Sequence, residues 1–491
     1  MPSAKWPGTR GSRLAGGFAW GLSTCYARRV WRAVLVLAVA CGGGGSADDR
    51  QAVLDLLGAT CADEPSAIYD VALPAAAVKG DVLGCAYDRK ISVAEMQAHF
   101  QGTVPPITTP VYKLRLAYVT ERGPGERQIT SAALFVPEVR RGDPPPLVVA
   151  GHGSVGLADA CAPSREDPQG FLTDFRTQIY TLAGDGWVVL APDFPGLGTA
   201  GPTTWQLSLD EGHALLDGTR AARRLARAGF FSEKNAIVGH SNGGHAALSA
   251  QAFAADYGTE GSVEAVLVWA PLWISNGAWG ALTTPLAASL VTPAFMSMTL
   301  MYFYGHGMAL DGGTDGVFLA DQQDAIASLL EGGCWQRVTR AETGPPSIGI
   351  STGPDGFVSE FITEVGTCAL SGTSCDSPTA MTWRARWAAD RPPPDPAIPI
   401  VLWQGAADDF LTPAFQQCGI DRLVGQGADL TLCVSAQGDH GSVMPRSAEW
   451  VHQYLAARLL AGPEPAACIG AFDPPVACGA PLPNSVDPDD P

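Results

Sequence analysis

Short apolar runs alternate along this chain with longer segments whose apolar residues recur at helical spacing. This alternation is typical of a mostly parallel sheet that is covered by helices on both faces. The predicted fold class is therefore α/β, with a central sheet flanked by helices. The predicted buried strands are Pro146–Ala150, Val263–Pro271, Ile398–Gln404 and Asp429–Ala436, and the predicted helices are Asp174–Ala183, Leu207–Ala226 and Ser447–Leu460.

Two earlier segments, Tyr112–Thr120 and Gln128–Pro137, alternate between apolar and polar residues and are predicted to be the first two strands, paired antiparallel. The preceding residues, 47–110, are predicted to form an irregular extension with short helices such as Val93–Gln101. Residues 273–395 separate two predicted strands and are far too many for a simple crossover. We therefore predict that they form a large, mainly helical insertion.

A strand that runs directly into an Ala-rich helix carries Gly239-His240-Ser241-Asn242-Gly243 at the junction. In this context Gly-x-Ser-x-Gly indicates a tight turn that lifts a serine hydroxyl out of the sheet, so Ser241 is the candidate nucleophile. A second match, Gly349–Gly353, follows no apolar strand and precedes no helix. We interpret that second match as an exposed loop.

A serine hydroxyl needs a base to take its proton and a carboxylate to orient the base, and both should follow it along the chain. Asp408 comes just after the strand Ile398–Gln404 and is the candidate acid, with Asp409 as its rival. His440 lies on the loop between the last predicted strand and the last predicted helix. His440 is therefore the candidate base.

The oxyanion of an acyl-transfer reaction also needs hydrogen-bond donors. One candidate is the backbone N–H of Asn242, and the other is that of Ser154, with Gly153 as the near alternative. Three further histidines are interpreted as packing or supporting residues: His152, His240 and His245.

Three segments resemble a known family: Gly151–Ser164, Trp187–Thr199 and the turn around Ser241 are similar to the secretory lipases (lipase A type) of the α/β-hydrolase superfamily. The similarity covers roughly residues 110–272 and 396–460. It implies an α/β-hydrolase fold, a helical cap, no cofactor and a secreted carboxylic-ester hydrolase, often a triacylglycerol lipase. By resemblance, the triad is Ser241, Asp408 and His440.

The resulting prediction is a serine lipase or esterase that cleaves acyl esters of medium or long chain through an acyl-enzyme. Its substrate partner would be a small-molecule or lipid ester. Two alternatives remain open: a serine peptidase of the prolyl-oligopeptidase type, and a binding module without catalytic activity on the hydrolase fold. The predicted domains are a signal peptide (1–40), a Gly linker and N-terminal extension (41–110), a hydrolase core (111–272 and 396–462), a cap or lid (273–395) and a Pro-rich tail (463–491).

The cap region begins with an uncharged stretch, since no Asp, Glu, Lys or Arg occurs from Ala265 to Leu310. A water-insoluble acyl chain must be held by apolar surface, so part of this stretch is predicted to line an acyl groove or a mobile lid. Buried packing within the cap is the alternative. The candidate substrate-binding residues are Trp273, Phe295, Met298 and Tyr302.

The N-terminus predicts export. Basic residues precede the apolar run Ala33–Ala40, and Ala38-Val39-Ala40 is followed by Cys41 and a Gly linker. This pattern resembles a bacterial lipoprotein signal with a lipid on Cys41, and plain secretion is the alternative. The whole chain has a formal charge of −18, which argues against nucleic-acid binding because that binding depends on neutralising phosphates. The oligomeric state stays open.

The ten cysteines after Cys41 are an even number, which in an exported protein predicts disulfides. No Cys-x-x-Cys pair is present, so no metal site is predicted. Spacing alone does not determine the pairing. The preferred pairs are Cys61–Cys85, Cys368–Cys375, Cys418–Cys433 and Cys468–Cys478, which leave Cys161–Cys334.

Overall fold

A computed structural model describes residues 47–165, 173–273, 277–289, 291–372 and 375–478. The described residues form a nine-stranded sheet with the order β1-β2-β3-β5-β4-β6-β7-β8-β9. The first three strands and the β3–β5 pair are antiparallel, and all later pairs are parallel. The α/β prediction is confirmed. The strands are β1 (Val82–Ile91), β2 (Val111–Glu121), β3 (Arg127–Pro137), β4 (Leu147–Gly151), β5 (Val188–Pro192), β6 (Lys234–His240), β7 (Ser262–Trp269), β8 (Ile400–Gly405) and β9 (Leu430–Ser435).

Strand β1 corrects the expectation of an irregular N-terminal extension, because it pairs along β2 as the first strand of the sheet. Its register shifts between Val82 and Gly84 and again between Tyr87 and Arg89. A bulge breaks the period-two alternation of side chains. The sequence pattern therefore lacked the usual sign of a strand.

The helices cover both faces of the sheet and also form the insertion between β7 and β8. Those of the core are α1 (Ala47–Leu57), α2 (Val93–His99), α3 (Thr173–Ala183), α4 (Ser208–Leu225), α5 (Asn242–Tyr257), α13 (Pro413–Gly425) and α14 (Val443–Leu460). Those of the insertion are α6 (Gly277–Leu282), α7 (Pro293–His306), α8 (Gln323–Gly332), α9 (Trp335–Val338), α10 (Ser359–Phe361), α11 (Thr367–Ser371) and α12 (Pro378–Ala389). Within the part of the chain that the structure describes, no helix is long and apolar enough to span a membrane.

Alternate residues of each central strand face opposite helix layers, as the strand period requires. Leu147 and Val149 of β4 pack with α4 and α5, while Val148 and Ala150 pack with α3 and α14. The cap has its own apolar cluster, which includes Met298 and Tyr302 of α7. Sheet, helix layers and cap all belong to one compact unit.

The described residues contain five disulfides, and three of them are predicted ones: Cys61–Cys85, Cys161–Cys334 and Cys368–Cys375. The other two predicted pairs are wrong. Cys418 bonds to Cys478, and Cys433 bonds to Cys468. Short spacing favoured the wrong pairs, whereas the path of the tail along the sheet decides the actual ones.

The tail up to residue 478 runs along the last strand of the sheet. It contains no helix or strand, but the backbone N–H of Val434 on β9 donates to the carbonyl of Ile469 at 2.7 Å. Phe472 is buried, and Nε1 of Trp450 donates to the carbonyl of Ala466 at 2.7 Å. The tail therefore covers the edge of β9, which would otherwise offer unpaired backbone groups. Residues 479–491, the predicted signal peptide and Cys41 lie outside the described residues.

Candidate active site

Ser241 occupies a strained turn between β6 and α5, with φ 56° and ψ −120°. Two backbone bonds hold the turn: the Ser241 N–H donates to the carbonyl of Trp269 at 3.0 Å, and the Leu272 N–H donates to the carbonyl of Ser241 at 2.9 Å. A positive φ in a non-glycine residue costs about 1–3 kcal/mol and is common at functional sites. The turn therefore fits the context that the motif predicted.

The glycines on both sides of Ser241 are required by close backbone approach. A Cβ on Gly239 would lie 1.8 Å from the carbonyl oxygen of Gly243. A Cβ on Gly243 would lie 2.1 Å from the carbonyl oxygen of Gly151. These distances are far below van der Waals contact, so any larger residue would push the helix away from the sheet. By contrast, Ser351 of the second Gly-x-Ser-x-Gly match is exposed in a loop.

Asp408 and His440 come from two different loops and meet in a direct hydrogen bond. Nδ1 of His440 lies 2.9 Å from Oδ2 of Asp408, whose side chain is fully buried. Oδ1 of Asp408 accepts bonds from the backbone N–H groups of Phe410 at 3.0 Å and Leu411 at 2.8 Å. The rival Asp409 is exposed, so it is Asp408 that contacts the imidazole.

Ser241 and His440 line the same cavity, which has a volume of about 150 Å³. The segment expected to supply the oxyanion donors borders it as well. The other lining residues are Gly153, Ser154, Val155, Asp174, Phe175, His240, Trp335 and Phe410.

The segment after β4 passes directly beside Ser241, since a Cβ built on Gly153 would lie 3.5 Å from Cβ of Ser241. His152 supports this segment: its Nδ1 lies 2.7 Å from the carbonyl oxygen of Gly153 and its Nε2 lies 3.1 Å from that of Asp193. The hydroxyl of Ser154 accepts a bond from Nε1 of Trp205 at 2.9 Å. This bond fixes the side chain of Ser154 against Trp205, which lies on the loop before α4.

Asp193 ties the same segment to the sheet. Its carboxylate accepts bonds from the Ser131 hydroxyl at 2.6 Å and from both the backbone N–H and the hydroxyl of Ser164. Burial raises the pKa of Asp193 above its usual value. These contacts indicate a structural role.

His240 lies below the turn and supports the loop that carries His440. Its Nε2–H donates to the carbonyl oxygen of His440 at 2.8 Å, and the two ring centroids are 4.7 Å apart. Burial, together with the neighbouring His440, lowers the pKa of His240 to about 4. The ring is therefore neutral across the physiological range.

Glu211 is a buried residue of the site that the sequence did not reveal. Its Oε1 accepts from Nδ2 of Asn242 at 2.8 Å, and its Oε2 lies 2.7 Å from Nδ1 of His245. Burial opposes the charged form of His245, but the hydrogen bond and charge of Glu211 outweigh it and raise the pKa of His245. In the sequence Glu211 is one of two acids in the first turn of α4, a position where acids commonly interact with the helix dipole.

A second buried carboxylate, Asp390, links the cap to the same helices. Its Oδ2 accepts from the hydroxyl of Tyr302 at 2.8 Å and lies 2.9 Å from Nε2 of His306. Its backbone carbonyl accepts from the Ser208 hydroxyl at 2.6 Å and lies 2.8 Å from Nε2 of His245. The cap is thus joined to α4 and α5 by polar contacts as well as apolar ones.

The four residues expected to bind substrate do not line the cavity at Ser241. Met298 and Tyr302 are fully buried in the cap, and Trp273 packs against the ring of His245 at 5.5 Å. Phe295 contacts the cavity only indirectly, through a stacked contact with Phe410 at 6.0 Å. Helix α7 is buried on all sides from Met296 to its end, so its apolar composition does not indicate a groove.

No group of three or more His, Cys, Asp or Glu side chains suited to a metal occurs among residues 47–165, 173–273, 277–289, 291–372 and 375–478.

Comparison with known proteins agrees with this picture. The family model described as secretory lipase matches residues 169–271. The fold is similar to that of the rice cell wall degrading esterase LipA from Xanthomonas oryzae, with 18% identity, TM-score 0.54 and coverage of 78% of this chain and 95% of that chain. It is also similar to Candida antarctica lipase A in its closed state, with 16% identity, TM-score 0.56 and coverage of 87% of this chain and 93% of that chain. No curated protein matches the chain. The chain therefore has the α/β-hydrolase fold, and its residues 169–271 are similar to the secretory lipases.

Proposed function

We propose that the protein is an exported serine ester hydrolase in which Ser241, His440 and Asp408 form a catalytic triad. The observation that carries this proposal is the 2.9 Å contact between Nδ1 of His440 and Oδ2 of Asp408, with His440 and Ser241 lining one cavity. The strained turn at Ser241 supports it, since the backbone is bent so that the hydroxyl stands at the end of the sheet.

In the proposed mechanism, Asp408 keeps the proton of His440 on Nδ1, which leaves Nε2 free to accept. His440 then removes the hydroxyl proton of Ser241, whose oxygen attacks the ester carbonyl carbon. The tetrahedral intermediate places its negative oxygen towards the amides of Asn242 and Ser154, or Gly153 in place of Ser154. His440 passes the proton to the departing alcohol, and an acyl group remains on Ser241.

Hydrolysis of the acyl-enzyme repeats these steps with water. His440 takes a proton from the water, the resulting hydroxide attacks the acyl carbon, and the same amides hold the new oxyanion. Collapse of this second intermediate releases the carboxylic acid, and the proton returns from His440 to Ser241. No cofactor takes part in the proposed cycle.

Export is supported by the five disulfides, which persist in oxidising compartments, and by the signal-like N-terminus. We propose that Cys41 carries a lipid. Mass spectrometry of the N-terminal peptide from the expressed full chain tests this step. A mature N-terminus at Cys41 with acyl chains is expected, and a free cysteine or a different cleavage site would favour plain secretion.

The proposed chemistry is tested by replacing Ser241 and, as a matched control, Ser351 of the second motif. Ser241→Ala should lower kcat for p-nitrophenyl esters by about 10⁶, because triad members act as a unit. It should also abolish labelling by a fluorophosphonate probe. Ser351→Ala should leave both unchanged. Near-normal activity of Ser241→Ala would refute the assignment, and cleavage of Xaa-Pro nitroanilides but not of esters would favour a peptidase.

A further inference from the structure

The cap is fastened to the oxyanion segment, which we define as residues 151–161, at the edge of the cavity. The disulfide Cys161–Cys334 joins them covalently. Gly156 and Cys334 form an isolated antiparallel bridge, and the backbone N–H of Trp335 donates to the carbonyl of Val155 at 2.8 Å. A Cβ on Gly156 would lie 2.9 Å from the carbonyl oxygen of Gly333, so glycine permits this close approach.

Trp335, which follows the disulfide directly, forms part of the cavity wall. Its ring meets Phe410 edge to face at 6.3 Å, and Phe410 in turn contacts the ring of His440 at 5.2 Å. Phe295 stacks on Phe410 from the cap side at 6.0 Å. The aromatic side chains therefore form a continuous wall from the cap to the proposed base.

The cavity is partly open to solvent, and the space within its walls is small for a lipid substrate. Its volume of about 150 Å³ equals that of an engineered protein cavity that holds one benzene molecule, which has about six non-hydrogen atoms. A cap that swung open could enlarge it. Trp335, however, cannot move far from Val155 while the bond between Cys161 and Cys334 is intact.

We propose that Trp335, clamped to the oxyanion segment by the Cys161–Cys334 disulfide, limits the acyl group to a short chain of about six non-hydrogen atoms. This inference rests on the proposed function. In the tetrahedral intermediate the alcohol oxygen lies towards His440, since that residue protonates it, and the carbonyl oxygen lies towards the oxyanion amides. The proposal places the acyl chain against the wall attached to Val155, where Trp335 stands. The expectation of medium or long acyl chains is replaced by a preference for short ones.

The test measures kcat/KM for p-nitrophenyl acetate, butyrate, hexanoate and octanoate below their solubility limits. The wild type should be most active on acetate or butyrate. Trp335→Ala should raise the octanoate-to-acetate ratio about tenfold or more, because each methylene group that gains a pocket is worth roughly that factor. Trp335→Leu should give a smaller increase and serves as the milder variant if Trp335→Ala does not fold. Trp450→Ala, on α14, removes the same volume elsewhere and should leave the ratio unchanged.

The clamp is tested separately with the double variant Cys161→Ser and Cys334→Ser, which should raise the same ratio several-fold although Trp335 is present. An unchanged ratio in that variant would overturn the role of the disulfide. A wild type that prefers octanoate, or a Trp335→Leu ratio equal to that of the wild type, would overturn the inference. The inference would also be overturned if Trp335→Ala changed kcat/KM only for acetate esters of larger alcohols and left the dependence on acyl length unchanged. A wild type that a fluorophosphonate fails to label would instead refute the proposed function itself.

Discussion

Nε2–H of His240 donates a 2.8 Å hydrogen bond to the backbone carbonyl of His440. His240 precedes the proposed nucleophile directly, so one short segment carries both Ser241 and the support of the proposed base. The spacing between the serine turn and the histidine loop is thereby held from beneath. A small displacement of the loop would lengthen the path for proton transfer, which depends on hydrogen-bond distance.

Replacing His240 should therefore affect the rate more than substrate binding. For His240→Phe we expect kcat to fall about fivefold, since the lost hydrogen bond is worth about 1 kcal/mol, while KM changes less. His240→Gln, whose amide can still donate, should recover part of the loss. Steady-state kinetics on p-nitrophenyl acetate measures kcat and KM separately. A rise in KM with normal kcat would contradict the supporting role.

The lowered pKa of His240 also predicts a pH dependence of stability. Its pKa is about 4 in the folded protein and 6.5 in the unfolded reference, so the unfolded state binds the extra proton first. The free energy of unfolding that is lost because of the low pKa of His240 is zero above pH 6.5. This loss grows as the pH falls towards 4 and reaches about 3 kcal/mol. His240→Phe should remove this term. Urea unfolding of both proteins at pH 7 and pH 4.5 should show the variant losing less stability on acidification, and equal losses would contradict the prediction.

Asp408 and its neighbour Asp409 form a matched pair for testing the proposed acid. Asp408→Asn keeps the shape but presents an amide to Nδ1 of His440, which should favour the wrong tautomer and lower kcat by about 10⁴, as in other triads. Asp409 is exposed, so Asp409→Asn should retain full activity. Ester hydrolysis by the two variants gives the comparison. Loss of activity in Asp409→Asn with a normal Asp408→Asn would reverse the assignment.

Local signals predicted much of the fold and of the candidate site. The turn at Ser241, the acid after a strand and the histidine after the last strand each have a short sequence context, and the structure brings Asp408 to His440. Strand β1 was not predicted, because its bulges disrupt the alternation of side chains between the two faces of the sheet. The chemistry of a residue and its sequence neighbours was sufficient to predict the three site positions. Predicting strand β1 would have required the detailed path of the backbone.

Contacts between distant segments could not be predicted in this way. Glu211 meets Asn242 and His245 only because α4 packs against α5. Tyr302 is apolar enough for a groove, yet its hydroxyl is bonded to Asp390 in the interior. Composition predicts that a residue is buried, but it does not predict which part of the protein covers that residue.

The buried carboxylate of Glu211 should be essential for stability. Glu211→Ala leaves the amide of Asn242 without its acceptor and an unbalanced His245 in the interior, which should cost about 3–5 kcal/mol. Glu211→Gln keeps one acceptor oxygen and should cost less. Chemical unfolding of the purified variants measures both effects. Glu260→Gln, a change at a residue outside this cluster, serves as the control, and an equal effect at Glu260 would contradict a special role for Glu211.

The pairing of Cys433 with Cys468 predicts that the tail stabilises the edge of the sheet. This disulfide closes a loop of 35 residues, so replacing both cysteines by serine should cost about 4 kcal/mol. The same change at Cys368 and Cys375, which are 7 residues apart, should cost only about 2 kcal/mol. The first variant should also aggregate more readily, because the edge of β9 loses its cover. Unfolding curves and light scattering provide the comparison, and peptide mapping that found Cys418 bonded to Cys433 would refute the underlying arrangement.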